Sequence, residues 1–380
     1  MRTFRAEELA ARIRPLFEEN FARYGELGAA VSIWQNGRSL LELQGGFRDM
    51  RREQPWSSDT IVLFWSATKG LGSACLLHLL QERALGLERR VAEFWPQFAE
   101  AGKSEITLTK LLSHRAGLAA LDLPAEITDH AAVVRAVEKQ TPLWPPGTAH
   151  GYHARTFGFL LDELVRRIDG RPLSVYWREI FAVPLGLDIW IGLPAEENAR
   201  AASVYAAKAS GPSADPFYKA LTTPGSLQRC VFTSPHGLNA VSAMNDPANR
   251  AHSLVSMGGI GSASALGKFY AMLANGGELD GHRFFSAETI SQMTTTLASG
   301  HDEVFLVPTA FSAGFMKDPD NATARIFGPS DRAFGHPGAG GSHAFADPEN
   351  HLSFAYVMNQ MEPQVLPNAK SLRLIEAIYE

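Results

Sequence analysis

The chain has 380 residues, of which 45% are hydrophobic and 20% are charged, and its formal net charge at pH 7 is −5. This composition is typical of globular proteins and excludes a largely disordered chain, and the mild acidity provides no basic surface for nucleic acid. Two cysteines, Cys75 and Cys230, are too few for a disulfide framework, so a reducing compartment is acceptable.

The N-terminal segment predicts an amphipathic helix that packs against the protein. Glu7 and Glu8 lie where a secretory signal would have its apolar core, and no run approaches the ~20 apolar residues that a membrane span needs. We therefore expect a cytoplasmic protein without a membrane span. The apolar positions that recur mostly at helical spacing are Phe4, Leu9, Ile13, Phe17 and Phe21.

The next elements are a hairpin and a mainly helical middle region. Two apolar runs flank Asn36-Gly37, which predicts two β-strands joined by a tight turn. Residues 206–256 are rich in Ala, Ser, Pro and Gly, which predicts a long irregular loop that is either a binding loop or a mobile surface excursion. Helical periodicity predicts helices over 76–87, 109–113, 131–139 and 156–168.

The C-terminal part returns to strands, predicted over 309–315, 342–346 and 352–358, before a last helix over 368–379. Strands at both ends with helices between them predict an α+β fold. One antiparallel sheet would come from both termini, flanked by helices, with a mainly helical domain inserted. We assign residues 1–65 plus 300–380 to a discontinuous sheet domain and 66–299 to the helical domain, with the active site at their interface.

The first chemical motif is Ser66-Ala67-Thr68-Lys69, the one S-x-x-K of the chain. It follows an apolar run and opens a predicted helix, so Ser66 and Lys69 would lie one turn apart on the same face. A serine hydroxyl needs a base to become a nucleophile, and a lysine whose pKa is lowered by burial can serve. The structural alternative is an N-cap serine followed by a solvated lysine, which the motif alone favours.

Two further features are weaker. Tyr152 follows the turn Trp144-Pro145-Pro146-Gly147 and would relay a proton if a nearby cation favoured its phenolate, although a packed tyrosine is the commoner case. Residues 334–343 are half Gly or Ala, so their backbone can approach a ligand and offer an N–H to an oxyanion, although taken alone they indicate only a glycine-rich turn.

Taken together, the order and spacing of these motifs resemble the serine β-lactamase and penicillin-binding-protein superfamily, and within it the class C-like family VIII carboxylesterases. The resemblance covers nearly the whole chain and implies a β-lactamase/transpeptidase-like fold. The matching segments are Ser66-Ala67-Thr68-Lys69, Gly151-Tyr152-His153-Ala154 at the Tyr-x-Asn box, His336-Pro337-Gly338 at the Lys-Thr-Gly box, and two supporting stretches at 111–118 and 258–262.

The resemblance also implies roles. Ser66 would be the acylated nucleophile, with Lys69 and Tyr152 sharing general-base duty. The backbone N–H groups of Ser66 and Ala339 would form the oxyanion hole. The remaining candidates for the substrate pocket or its surroundings are Trp65, His153, His336, Gly338 and His343.

Two departures from the family pattern bear on the substrate. Ala154 replaces the Asn that hydrogen-bonds a substrate amide, and His336 replaces the Lys that holds a substrate carboxylate. His336 would instead hydrogen-bond Tyr152. Both changes favour uncharged esters over β-lactams.

The resemblance therefore implies a carboxylesterase that needs only a small-molecule ester and water, with no metal or organic cofactor. A β-lactamase or D,D-peptidase, an acyltransferase on the same fold and a non-enzymatic scaffold stay open as alternatives. The sequence leaves the oligomeric state open.

Overall fold

The computed structural model describes residues 2–207, 215–320, 325–367 and 369–380. Helices in this part of the chain are α1 (Ala6–Arg23), α2 (Thr68–Glu82), α3 (Leu108–Leu112), α4 (His130–Lys139), α5 (Thr156–Asp169), α6 (Leu173–Trp177), α7 (Val183–Leu185), α8 (Pro216–Thr222), α9 (Leu227–Thr233), α10 (Pro247–Arg250), α11 (Ala263–Ala274), α12 (Ala287–Thr294) and α13 (Ala369–Tyr379).

The strands form one large sheet, one small sheet and one short hairpin. They are β1 (Gly28–Gln35), β2 (Arg38–Gly46), β3 (Val62–Leu63), β4 (Ile189–Ile191), β5 (Gly259–Gly261), β6 (Glu278–Leu279), β7 (His282–Arg283), β8 (Ala298–His301), β9 (Pro308–Phe311), β10 (Met316–Lys317), β11 (Phe334–Pro337), β12 (His343–Asp347) and β13 (Leu352–Met358).

The large sheet is antiparallel and draws its strands from both ends of the chain. Its order is β2-β1-β13-β12-β11-β10-β9-β8, so the N-terminal hairpin joins the C-terminal strands through the β1–β13 pair. The small sheet has the order β3-β5-β4, and its strand β3 lies just before the S-x-x-K segment in the chain.

Helices cover both faces of the large sheet. Alternate residues of β1 point to opposite faces, so Val31 and Ile33 share a core with α1 and α13 while Ala30 belongs to the core of the helical region. Helix α11 packs against β1, β12 and β13 although it lies within the range assigned to the helical domain. The domain boundaries proposed from the sequence stay a prediction.

The predicted hairpin is present. Gln35 pairs with Arg38, and the two turn residues Asn36 and Gly37 have φ of 51° and 71°. Positive φ at both central positions is the requirement of the tight hairpin turn that Asn-Gly favours.

Several predicted boundaries are wrong. The helix expected to reach residue 87 ends at Glu82, since Ala84 takes a left-handed φ of 52°. The strand expected over 309–315 is split, because Gly314 at φ 81° turns the chain between β9 and β10 and Ser312 N donates to Phe315 O at 2.9 Å.

The long irregular loop expected over 206–256 is also corrected in its described part. It contains α8, α9 and α10, whose N-cap side chains accept backbone N–H groups and so satisfy the first turn of each helix. Residues 208–214, and Asn368 at the start of the predicted last helix, lie outside the described residues.

Candidate active site

Ser66 lies in a tight turn between the small sheet and the longest buried helix. Residues Trp65–Ala67 form a 3₁₀ turn directly before α2, so the motif straddles two elements and does not simply open one helix. Trp65 takes a left-handed φ of 52°, a strained conformation for a bulky residue. Thr68 fixes this turn, because its Oγ1 donates to Trp65 O at 2.6 Å and accepts from Gly259 N at 2.8 Å.

Lys69 is fully buried beside the serine. Its Nζ lies 3.2 Å from Ser66 Oγ, 2.8 Å from Ala154 O and 2.9 Å from Ser256 O. Burial holds the pKa of Lys69 well below its ordinary value, since removing the ammonium from water penalises the charged form. The structural alternative of a solvated lysine is therefore wrong, and the amine is suited to accept a proton.

Tyr152 completes a cluster with Ser66 and Lys69. Its ring centroid lies 4.8 Å from Lys69 Nζ, and its backbone N–H donates to Asp302 Oδ1 at 3.2 Å. Burial raises the pKa of Tyr152 above its ordinary value, and the nearby Ser66 hydroxyl offsets part of that rise. The expected phenolate is therefore not favoured. The Tyr152 hydroxyl keeps its proton, and within the described residues it has no hydrogen-bond partner.

The turn between β11 and β12 lies against the Ser66 turn. Gly338 N donates to Ser342 O at 2.6 Å, and a β-carbon on Gly338 would lie 2.0 Å from Phe64 O. Only glycine fits this approach, which brings Ala339 to the same cavity as Ser66. The Ala339 N–H makes no hydrogen bond in the described part of the chain, so it is available to a ligand oxygen. The composition of the oxyanion hole stays a prediction.

His336 is buried in β11 and electrically neutral. Its Nδ1 lies 2.7 Å from Pro337 O, which fixes the proton on that nitrogen and leaves Nε2 as an acceptor with no partner among the described side chains and backbone. Burial, and then the neighbouring Lys69, lower the pKa of His336 to about 3. The expected hydrogen bond to Tyr152 is absent from the described contacts, with ring centroids 5.8 Å apart.

Two histidines expected at the pocket lie elsewhere. His153 is buried, with Nδ1 2.7 Å from Gly151 O and Nε2 accepting from Leu118 N at 2.9 Å. Both ring nitrogens are therefore hydrogen-bonded to backbone groups. His343 lies on β12 with Nδ1 3.2 Å from Ser371 Oγ of α13. Neither lines the cavity beside Ser66.

Two residues that position the site were not singled out from the sequence. Asp302 accepts the N–H groups of Tyr152, Val304 and Phe305, and so ties the tyrosine loop to the segment before β9. His114 Nδ1 accepts from His153 N at 3.1 Å. His114 belongs to the familial stretch 111–118, whereas Asp302 has no local motif that would have revealed it.

A cavity of about 370 Å³ opens beside Ser66. Of the predicted residues, Trp65, Ser66 and Ala339 line it, while Lys69 and Tyr152 do not. Most of its wall is apolar, which suits the organic part of a small substrate. The lining residues are Trp65, Ser66, Ala154, Arg155, Leu221, Arg229, Phe232, Thr233, Leu238, Asn239, Val241, Met257, Ala339 and Met361.

The described residues provide neither a cluster of metal ligands nor a membrane-spanning helix. They contain no group of three or more His, Cys, Asp or Glu side chains arranged to hold a metal ion. None of the helices they form combines the length and apolar character required to cross a bilayer.

The antiparallel sheet built from both termini, with a buried lysine beside a serine at the start of a helix, is the arrangement of the β-lactamase/transpeptidase-like fold. The sequence matches the profile of the beta-lactamase family over residues 13–377, and the chain belongs to that family. The predicted fold class and superfamily are therefore confirmed.

Relatives span nearly the whole chain. The esterase/beta-lactamase LipL of Mycobacterium tuberculosis is 31% identical over 355 residues, covering 89% of this chain and 78% of the relative. A penicillin-binding protein homologue from Caulobacter crescentus superposes with a TM-score of 0.87 at 35% identity, over 99% of this chain and 98% of its own. A family VIII carboxylesterase superposes with a TM-score of 0.87 at 34% identity, over 100% and 98%.

Proposed function

We propose that this protein is a carboxylesterase that works through an acyl-enzyme on Ser66. The observation that carries the proposal is the buried Lys69 amine, 3.2 Å from Ser66 Oγ and without a carboxylate partner in the described residues. The names of the relatives support ester substrates, since one is an esterase/beta-lactamase and another a family VIII carboxylesterase.

The protonation states of Lys69 and Ser66 suit acylation of the serine. An uncharged lysine amine has two N–H bonds, enough for Ala154 O and Ser256 O, and its lone pair then faces the Ser66 hydroxyl. Ser66 Oγ attacks the ester carbonyl carbon while its proton passes to Lys69 Nζ. The carbonyl oxygen becomes an oxyanion that the N–H groups of Ser66 and Ala339 would bind.

Collapse of the tetrahedral intermediate breaks the bond to the alcohol oxygen. That oxygen takes the proton of Tyr152, and Lys69 restores it, so the serine proton leaves with the alcohol. Water then attacks the acyl carbon, gives its proton to the same Tyr152–Lys69 pair and returns Ser66 to its hydroxyl form. The product is the free acid.

The two departures from the family boxes support esters over β-lactams. Ala154 offers no side-chain amide to a substrate amide, and the neutral His336 lacks the charge with which a lysine at its position would hold a carboxylate. The cytoplasmic location stays a prediction.

The test compares wild type with Ser66→Ala on p-nitrophenyl acetate and butyrate. We expect wild type to release nitrophenolate and the variant to lose about a thousandfold or more in kcat/KM. Ser299→Ala, an exposed serine on β8, is the matched control and should keep full activity. Equal rates for wild type and Ser66→Ala would remove Ser66 as the nucleophile.

A β-lactamase activity is the second candidate, because the M. tuberculosis relative carries both names. Turnover of nitrocefin that exceeds ester turnover in kcat/KM would make it the main activity.

A further inference from the structure

The cavity beside Ser66 carries two guanidinium groups. Arg155 and Arg229 both line it, and its described lining includes no Asp or Glu. Neither arginine makes an ion pair with a carboxylate in the part of the chain that the structure describes. The cavity is therefore positively charged and otherwise mainly apolar.

Arg155 is buried, with 7% of its surface exposed, and all of its partners are neutral. Nη1 donates to Pro235 O and Gly237 O at 2.8 Å each, and Nη2 donates to Asn239 Oδ1 at 2.8 Å. Burial lowers its pKa to about 10, so the group is still charged at neutral pH. One N–H of Nη2 is left over, and a buried charge without a counter-ion attracts an anion strongly.

Arg229 contributes a second charge from α9. It is exposed, and among the described residues its guanidinium makes one hydrogen bond, from Nη1 to Thr222 O at 3.2 Å. Asp162 shares a separate small void with Arg155, but its carboxylate accepts from Leu173 N at 2.7 Å and from Arg166 Nε at 3.2 Å. It therefore does not neutralise the cavity.

We propose that the cavity takes esters that carry a carboxylate on an apolar arm, with the carboxylate at Arg155 and Arg229. The inference rests on the proposed esterase function and names its substrate class. It changes the expectation of uncharged esters, because Arg155 and Arg229 supply within the cavity a positive charge that the neutral His336 does not provide. Phe232, Leu238 and Met361 would contact the arm.

The test uses two pairs of esters of similar size. Mono-4-nitrophenyl glutarate is compared with 4-nitrophenyl pentanoate for a charge on the acyl side, and 4-carboxyphenyl butyrate with 4-methylphenyl butyrate for a charge on the alcohol side. The quantity is kcat/KM for the anionic ester divided by kcat/KM for the neutral one, measured for wild type, Arg155→Gln and Arg229→Gln.

In at least one pair we expect this ratio to fall about tenfold in Arg155→Gln and about threefold in Arg229→Gln. Arg135→Gln, an exposed arginine of α4 outside this cavity, removes the same charge and should leave the ratio unchanged. The fall at Arg229 should shrink in 0.5 M salt, because an exposed charge is screened. Ratios that stay at the wild-type value in both cavity variants would overturn the proposal.

A binding measurement keeps this inference separate from the proposed reaction. Ser66→Ala protein is titrated calorimetrically with all four esters, alone and combined with Arg229→Gln. Tighter binding of an anionic ester than of its neutral partner, weakened by Arg229→Gln, supports the proposal even if wild type turns over neither. Equal affinities within both pairs would contradict it, and loss of turnover alone would count only against the esterase function.

Discussion

At the scale of single residues, burial is the main reason why the site holds one uncharged base, Lys69, and one protonated acid, Tyr152. Lys69 and Tyr152 are both fully enclosed, which favours the uncharged form of each, so the amine is free to accept a proton while the phenol still has one to give. Burial is the main cause for both groups, and the nearby Asp302 carboxylate adds to the rise in the pKa of Tyr152. In the proposed mechanism the lysine is the base of the resting site, and the tyrosine is the proton donor.

The dependence of kcat/KM on pH should reflect the protonation states of Lys69 and Tyr152. We expect kcat/KM to rise as Lys69 loses its proton, with a midpoint well below the ordinary lysine pKa of about 10.4. Because the pKa of Tyr152 is raised, its ionisation should cause no decline up to about pH 10. Initial rates with p-nitrophenyl butyrate between pH 5 and 10 measure the profile.

The Lys69→Met variant should lose activity, and any residual kcat/KM should no longer show the rise with pH that we assign to Lys69. A wild-type kcat/KM that still rises about tenfold per pH unit as pH approaches 10, with no plateau, would show that the lysine is charged at rest and would contradict its role as base.

At the scale of elements, the proposed reaction depends on how closely two turns approach each other. The 3₁₀ turn of Ser66 and the β11–β12 turn of Ala339 come from opposite ends of the chain. They meet where Gly338 lies against Phe64 O. A backbone contact of this kind fixes the distance between the nucleophile and the proposed oxyanion donor.

Gly338→Ala should separate these turns. The added β-carbon would lie 2.0 Å from Phe64 O, so the backbone has to move, and we expect kcat/KM to fall about a hundredfold with less effect on the melting temperature. Gly86→Ala is the control, since a β-carbon there meets nothing within 4 Å. Wild-type kinetics in Gly338→Ala would mean that this approach is not required.

The sequence predicted those elements whose signals are local. Asn36-Gly37 specified its own hairpin, and the S-x-x-K spacing placed Ser66 beside Lys69. The short helices α8, α9 and α10 were missed, because their signals are single N-cap residues within a segment of weak periodicity.

Contacts between distant segments were not predictable. Asp302 lies 150 residues from Tyr152 in the chain, so their contact is visible only in the folded structure. The same is true of His153, whose two ring nitrogens are hydrogen-bonded to backbone groups. Arg155 was overlooked for the same reason, since its acceptors are main-chain oxygens and an amide more than 75 residues away.

At the scale of the whole molecule, a buried ion pair joins the two ends of the chain. Lys370 Nζ in α13 lies 3.1 Å from Glu26 Oε2, just after α1, and 2.8 Å from Glu362 Oε1. Tyr356 of β13 donates to Glu26 Oε2 at 2.7 Å. These contacts tie α13 to β13 and to the segment between α1 and β1.

Removing one member of this buried ion pair should destabilise the folded protein. Lys370→Met leaves Glu26 buried without its cation, and we expect the free energy of unfolding in urea to fall by about 3–5 kcal/mol. The double variant Glu26→Gln/Lys370→Met should recover much of the loss. Lys139→Met, which breaks the exposed pair with Glu100, should change little. A similarly small change in Lys370→Met would show that the buried pair does not hold the termini.

The order of strands in the large sheet has a consequence for synthesis on the ribosome. Strand β1 ends at Gln35, but its neighbour β13 begins only at Leu352, about 300 residues later. At about 5–20 residues per second, the N-terminal hairpin waits roughly 15–60 seconds for its partner. Ser66 and Lys69 emerge early, whereas Gly338 and Ala339 come near the end. We therefore expect a nascent chain to lack esterase activity until translation is almost complete, and the edge of its hairpin to stay open to wrong pairing until β13 is made.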